Sequence, residues 1–214
     1  MNIFFDFDGV ILESLDAKTN AFKKIYEEYG LAIQSKVAKH HLSNGGISRF
    51  EKFKIYHQDF LGISIDDQKI NELADQFSKI VFEEVVNSKF VDGVNSFLDY
   101  CLEQNIKMWI ISGTPTEELR KICECLDLKK YFTGIFGSPE KKDFWCKKII
   151  SENELDKKSI FFFGDALADQ EAANLNQLKF VLRETDTNHD LFRNFNGFRI
   201  KDFNDVQLKN WIKQ

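Results

Sequence analysis

The sequence predicts an α/β protein, a parallel sheet covered by helices on both faces and interrupted early by a helical insertion. Three observations carry this. From about residue 86 onward, short apolar runs alternate with helix-like segments, the pattern of βαβ units. The first apolar run, at residues 2–5, is separated from the others by residues 15–85, where apolar residues recur only at helical spacing. Several runs end in small or acidic residues, and open α/β sheets bind ligands beyond the carboxyl ends of their strands.

Ile3, Phe4 and Phe5 lead into Asp6-Phe7-Asp8-Gly9-Val10. A short apolar run ending in a turn reads as a buried, central strand. Asp6 and Asp8 follow it and are expected to point the same way, because alternate strand residues share a face. Like charges that close repel unless a cation sits between them, which suits a divalent metal and a negatively charged substrate. A calcium loop would need a third ligand at position 10, which is Val, and a helix where this chain reads as strand. Taken alone, the motif could also be an acidic surface turn.

Within the insertion, Ala21, Phe22, Ile25, Tyr26 and Tyr29 mark a helix closed by Gly30. Phe50, Phe53, Ile55, Tyr56 and Phe60 mark a second, stopped by Gly62, and Leu73, Phe77, Ile80, Val81 and Val85 a third. Further on, 93–105 reads as helix and 106–111 as strand. Pro115 opens a helix running to about 126. A short strand at 134–136 precedes Pro139 and a helix at 143–150. Residues 159–163 form the most apolar strand, ending in Gly164-Asp165. Residues 180–183 and 198–200 read as two edge strands, and 206–213 as a closing helix.

A chain of 214 residues can bury a full core and still hold a large insertion. Apolar content of 43% and charged content of 29% are those of a soluble globular protein. A net charge of −5 and the lack of any basic run argue against a nucleic-acid partner. No apolar stretch approaches the roughly 20 residues of a membrane helix. The amino terminus enters a strand at once, which leaves no room for a signal peptide. The four cysteines, Cys101, Cys123, Cys125 and Cys146, lack partners at zinc-finger spacing and read as thiols in a reducing cytoplasm.

Polar residues stand at four strand ends: Asp6 and Asp8, then Ser112, then Lys142, then Asp165 with Asp169. Singly, each has an ordinary structural reading as a cap, a solvated lysine or acids at a helix start. Together and in order they resemble the four motifs of the haloacid dehalogenase-like superfamily. The matching segments are Asp6-Phe7-Asp8-Gly9-Val10, Ile110-Ile111-Ser112-Gly113-Thr114, Gly137-Ser138-Pro139-x-x-Lys142 and Phe163-Gly164-Asp165-Ala166-Leu167-Ala168-Asp169. The helical insertion falls where the phosphoglycolate phosphatase and β-phosphoglucomutase branch carries a cap. The resemblance thus implies a Rossmann-like, doubly wound parallel-sheet core with an inserted α-helical cap domain: core 1–14 and 86–214, cap 15–85.

It further implies a magnesium-dependent phosphatase that hydrolyses a small phosphomonoester, such as a sugar phosphate or phosphoglycolate. Asp6 would be the nucleophile and Asp8 the general acid and base. Ser112 would donate to a phosphoryl oxygen, helped by the N–H groups of Gly9 and Gly113, with Thr114 also at the substrate. Lys142, selected over Lys141 by the family spacing, would offset the charge. Magnesium would be held by Asp6, the Asp8 backbone carbonyl and Asp165, with Asp169 binding a water of the ion or orienting the lysine.

Gly45-Gly46-Ile47-Ser48-Arg49 is similar to the cap loop of β-phosphoglucomutases, and a guanidinium there suits a phosphate or carboxylate. His40, His41 and Asn44 lie close by. In the alternative, Ser48 caps a helix and Arg49 is solvated. Lys18 stands where the mutases of this branch carry His, which favours hydrolysis over a phosphomutase activity. Glu13 keeps the charge of the Asp found in many relatives, and the second carboxylate, Asp8, disfavours dehalogenation. A non-catalytic phosphometabolite-binding protein and a phospho-acceptor domain are the remaining readings. The expected partner is a small phosphorylated metabolite, with no membrane or nucleic acid, and the chain a monomer or homodimer.

Overall fold

The strands are apolar on both faces because helices cover both faces. In the computed structural model, which describes residues 1–208 and 211, six strands form one parallel sheet. They are β1 (Asn2–Phe5), β2 (Lys107–Pro115), β3 (Gly134–Ser138), β4 (Ile160–Gly164), β5 (Lys179–Arg183) and β6 (Phe198–Ile200). Their order is β3-β2-β1-β4-β5-β6, so the first strand is interior, with Phe5 opposite Ile110 on one side and Phe163 on the other. Alternation along β1 divides the core. Ile3 and Phe5 pack with Phe97 and Leu98 of α5 (Val94–Glu103) and Leu119 and Ile122 of α6 (Thr116–Cys125). Phe4 packs with Trp109, Phe162, Ile149 of α7 (Lys142–Glu152) and Ala173 of α8 (Leu167–Asn176). This is the doubly wound α/β architecture that the sequence predicts.

Between β1 and α5 lie α1 (Leu15–Ile25), α2 (Gly30–Ser43), α3 (Arg49–Ile55), continued by a wider turn at Tyr56–Leu61, and α4 (Asp67–Val86). Phe22 joins them, with ring centroids 4.4 Å from Phe77 and 5.5 Å from Phe53, while Tyr26 and Tyr56 are fully buried. Ser48 caps α3 by accepting from the Phe50 N–H, and Asp66 caps α4 by accepting from the Lys69 N–H at 2.8 Å.

Four features differ from the sequence reading. The helix α2 is absent from it because Val37 and His41 are the buried residues of that helix and no apolar stripe forms. Gly30 ends one turn and also opens α2. β2 runs on through Ser112, Gly113 and Thr114 to Pro115, where no apolar pattern marks it. β5 is interior, between β4 and β6, so the edges are β3 and β6. The closing helix expected at 206–213 lies partly outside the described residues. Among those described, no helix is long and apolar enough to cross a membrane, and Cys101, Cys123, Cys125 and Cys146 are all free.

Candidate active site

Because β1 lies between β2 and β4, the loops after these strands meet over one end of the sheet. Asp6 directly follows β1, and its N–H donates to the Phe163 carbonyl at 2.8 Å, which ties it to β4. Asp165 directly follows β4. Asp169 sits in the first turn of α8, where its Oδ2 accepts from the Ala166 N–H at 3.0 Å. Carboxylate oxygens of Asp6, Asp165 and Asp169 all lie within 4.8 Å of one another, and all three residues are buried. Lys142, the first residue of α7, places Nζ 2.8 Å from Asp6 Oδ1 and 2.5 Å from Asp169 Oδ1. Lys141 is exposed.

Three buried carboxylates face one ammonium, and the balance is negative. Burial pushes Asp6 up to about 7; Lys142 opposes this and Asp169 and Asp8 add to it. Burial, with Asp6 and Asp169, also pushes Asp165 well above the usual carboxylate range. For Lys142, burial alone would lower the pKa, but Asp169 and Asp6 outweigh it and the ammonium is held charged. Lys142 meets Asp6 Oδ1 as an ion pair without the alignment of a hydrogen bond, and this buried oxygen has no hydrogen-bond donor. An oxygen-only donor set with excess negative charge and an open lone pair on Asp6 fits a hard divalent cation such as magnesium. Gly9 closes the back of this cradle. Its φ is +79°, and a Cβ there would stand 2.3 Å from Asp165 Oδ2, so no other residue fits. The Gly9 N–H donates to the Leu12 carbonyl at 2.7 Å and is therefore not turned to a phosphoryl oxygen, contrary to the expectation from the motif.

Asp8 lines the same cleft as Asp6 but takes different partners. Ser14 Oγ donates to Asp8 Oδ1 at 2.6 Å, and Asp8 Oδ2 accepts from the Lys18 ammonium and, at 3.1 Å, from Thr114 Oγ1. Lys18 Nζ also donates to Thr114 Oγ1 at 2.6 Å. Burial pushes Asp8 up, but the charge and hydrogen bond of Lys18, with Ser14 and Thr114, outweigh it and hold the carboxyl below its usual range. Asp8 is therefore ionised at neutral pH. Thr114, expected at the substrate, lines the cleft and gives its hydroxyl to this carboxylate.

Ser112 and Gly113 line the cleft from β2. The insertion covers it. A Cβ on Gly113 would stand 2.7 Å from the Gly46 carbonyl oxygen, so the Gly45-Gly46 loop lies directly on the end of β2. Arg49 reaches the cleft, but its guanidinium is bidentate to Glu118 of α6, at 2.8 and 2.6 Å. It also donates to Ser78 Oγ at 2.7 Å and lies 4.4 Å from the centre of the Phe77 ring. A substrate anion at Arg49 must compete with that carboxylate. Sequence reasoning missed Lys52, which is buried in the roof of the cleft with Nζ 2.8 Å from His41 Nδ1. Its position three residues after Arg49 puts it on the same helical face, and that spacing was the available signal.

The haloacid dehalogenase-like hydrolase family matches residues 3–182. A phosphorylated carbohydrates phosphatase from Thermotoga maritima is 26% identical over 140 residues, which are 65% of this chain and 62% of that protein. The fold is that of a β-phosphoglucomutase from Clostridium difficile, with a TM-score of 0.80 at 17% identity over 99% of this chain and 95% of that one. A predicted phosphoglycolate phosphatase from Haemophilus somnus gives a TM-score of 0.73 at 17% identity over 100% and 97%. The chain belongs to the haloacid dehalogenase-like hydrolases.

Proposed function

We propose that this protein is a magnesium-dependent phosphatase that hydrolyses a small phosphorylated metabolite through an aspartyl-phosphate on Asp6, with residues 15–85 as a cap over a core formed by 1–14 and 86–214. The supporting observation is the buried trio of Asp6, Asp165 and Asp169 with Lys142 held between two of its members. The kinship with a phosphatase acting on phosphorylated carbohydrates supports a sugar phosphate or similar ester.

Asp6, Asp165 and the Asp8 backbone carbonyl would hold magnesium, with Asp169 behind them. When bound, the ion neutralises charge shared by Asp6 and the phosphoryl group. Asp6 attacks phosphorus while the ester oxygen leaves. Asp8 gives that oxygen a proton and later takes one from the water that cleaves the acyl phosphate. The ionised resting state of Asp8 suits the second step, and for the first Asp8 takes up a proton from solvent before the cleft closes on the ester. Ser112 and the Gly113 N–H face the phosphoryl oxygens from β2, and Lys142 stabilises the charge that builds between them and Asp6. The Gly45-Gly46 loop keeps bulk water from the reacting group.

The test is phosphate release in magnesium from a panel of small phosphomonoesters and a phosphoprotein. The account expects one small ester to be preferred. Faster turnover of the phosphoprotein would contradict a covered site.

A further inference from the structure

The buried cations around the cleft are matched to carboxylates with one exception. Lys18 has Asp8, Arg49 has Glu118, and Lys142 has Asp6 and Asp169. Lys52, whose residue is 2% exposed, has no carboxylate within ion-pair distance among the described residues. Its ammonium contacts His41 Nδ1 at 2.8 Å and lies 5.7 Å from the centre of the Phe22 ring. Donation to Nδ1 places the imidazole proton on Nε2, and that atom is also buried without a hydrogen-bond partner. Lys52 from α3 and His41 from α2 thus bring a cation without a carboxylate and a ring nitrogen without a partner to the lining that also contains Asp6, Asp8, Ser112 and Gly113.

Burying a cation without a counter-charge is unfavourable, and so is leaving a buried donor unpaired. A structural lysine would be expected to reach solvent or a carboxylate. An oxyanion that accepts from the Lys52 ammonium and from His41 Nε2 satisfies both groups at once.

We propose that Lys52 and His41 recognise a second oxyanion, a carboxylate or a phosphate, carried on the leaving group of the phosphoester. This rests on the phosphatase reading and narrows it: the preferred substrate is a phosphoester with an anionic arm. Burial lowers Lys52 to about 7, with Lys18 and Lys142 adding repulsion and Asp8 and Asp165 opposing it. Binding of the anionic arm restores the full charge, and the affinity comes from a charge-assisted pair formed away from water.

Three phosphonates that cannot be hydrolysed test this by calorimetry in magnesium: propylphosphonate, phosphonopropionate and propane bisphosphonate. Wild type is expected to bind at least one anionic-arm compound about tenfold or more tighter than propylphosphonate. Whichever binds tighter tells carboxylate from phosphate. Lys52→Met is expected to abolish the preference while raising the melting temperature, since it removes a buried unpaired charge at similar volume. Equal binding of all three by wild type, or a preference that survives in Lys52→Met, overturns the inference. A lower melting temperature in Lys52→Met gives the lysine a structural role and also overturns it. Phosphate release from p-nitrophenyl phosphate by wild type but not Asp6→Asn tests the phosphatase reading separately, so an active enzyme without the preference refutes the inference alone.

Discussion

Lys142→Met removes the cation that separates Asp6 from Asp169 and leaves Asp6, Asp165 and Asp169 facing one another within 4.8 Å. Breaking a buried ion pair from one side costs about 3–5 kcal/mol, and Lys142 has two partners. For a chain of this length, that lowers the melting temperature by about 6–20 °C. The loss depends on pH with a definite sign. Without the ammonium, the folded-state pKa values of Asp6 and Asp165, already raised, rise further above their unfolded value of about 4. The folded chain then binds more protons than the unfolded chain, so stability falls as pH rises through this window. The deficit of the variant is therefore small at pH 5 and large at pH 8, and magnesium at pH 8 restores much of it by supplying the missing charge. Thermal unfolding followed by circular dichroism at both pH values, with and without magnesium, measures this. Phosphate release should fall about 100-fold or more. A deficit equal at both pH values and indifferent to magnesium would refute the argument.

Three further outcomes follow from individual contacts. Lys18→Met removes the group that holds Asp8 low, so the Asp8 pKa rises and the acid limb of kcat, where hydrolysis of the acyl phosphate limits, moves to higher pH; an unmoved limb contradicts the Asp8 assignment. In wild type, the unfolded Lys52 holds its proton between about pH 7 and 10 while the folded one has lost it, so this residue makes stability rise with pH there by up to about 1.4 kcal/mol per unit. Lys52→Met should remove that slope in unfolding titrations. Gly9→Ala forces a side chain into positive φ and onto Asp165, and should weaken magnesium binding, read by calorimetry, far more than Gly62→Ala, which meets no atom within 4 Å.

Much of the site was legible because short strands fix where chain polarity must change. The apolar runs before Asp6 and Asp165 each end at the carboxyl end of a strand, so the order of Asp6, Ser112, Lys142 and Asp165 along the chain carries through to one end of the sheet. The central place of β1 and the edge place of β6 follow from the same runs, whereas β5 reads as an edge strand because its neighbour β6 is only Phe198–Ile200. What stayed hidden are contacts that arise only when the insertion docks. Arg49 meets Glu118 and Lys18 meets Asp8 and Thr114 across that seam, and within the insertion Lys52 meets His41; each pair comes from different elements whose relative placement no local pattern states. The helix α2 escaped for a simpler reason: Leu31 is exposed, and a helix with few buried residues shows no stripe. The Gly9 N–H was assigned to phosphate from its motif, yet its own turn satisfies it through Leu12.

The most direct test of the account is the covalent intermediate. The enzyme is mixed with its preferred ester in magnesium, quenched in acid within milliseconds, digested and mapped by mass spectrometry. The account predicts a phosphoryl group on Asp6, no label in Asp6→Asn, and a label that persists longer in Asp8→Asn, where the base for hydrolysis is lost. Turnover without any label on Asp6, or undiminished turnover by Asp6→Asn, would contradict it.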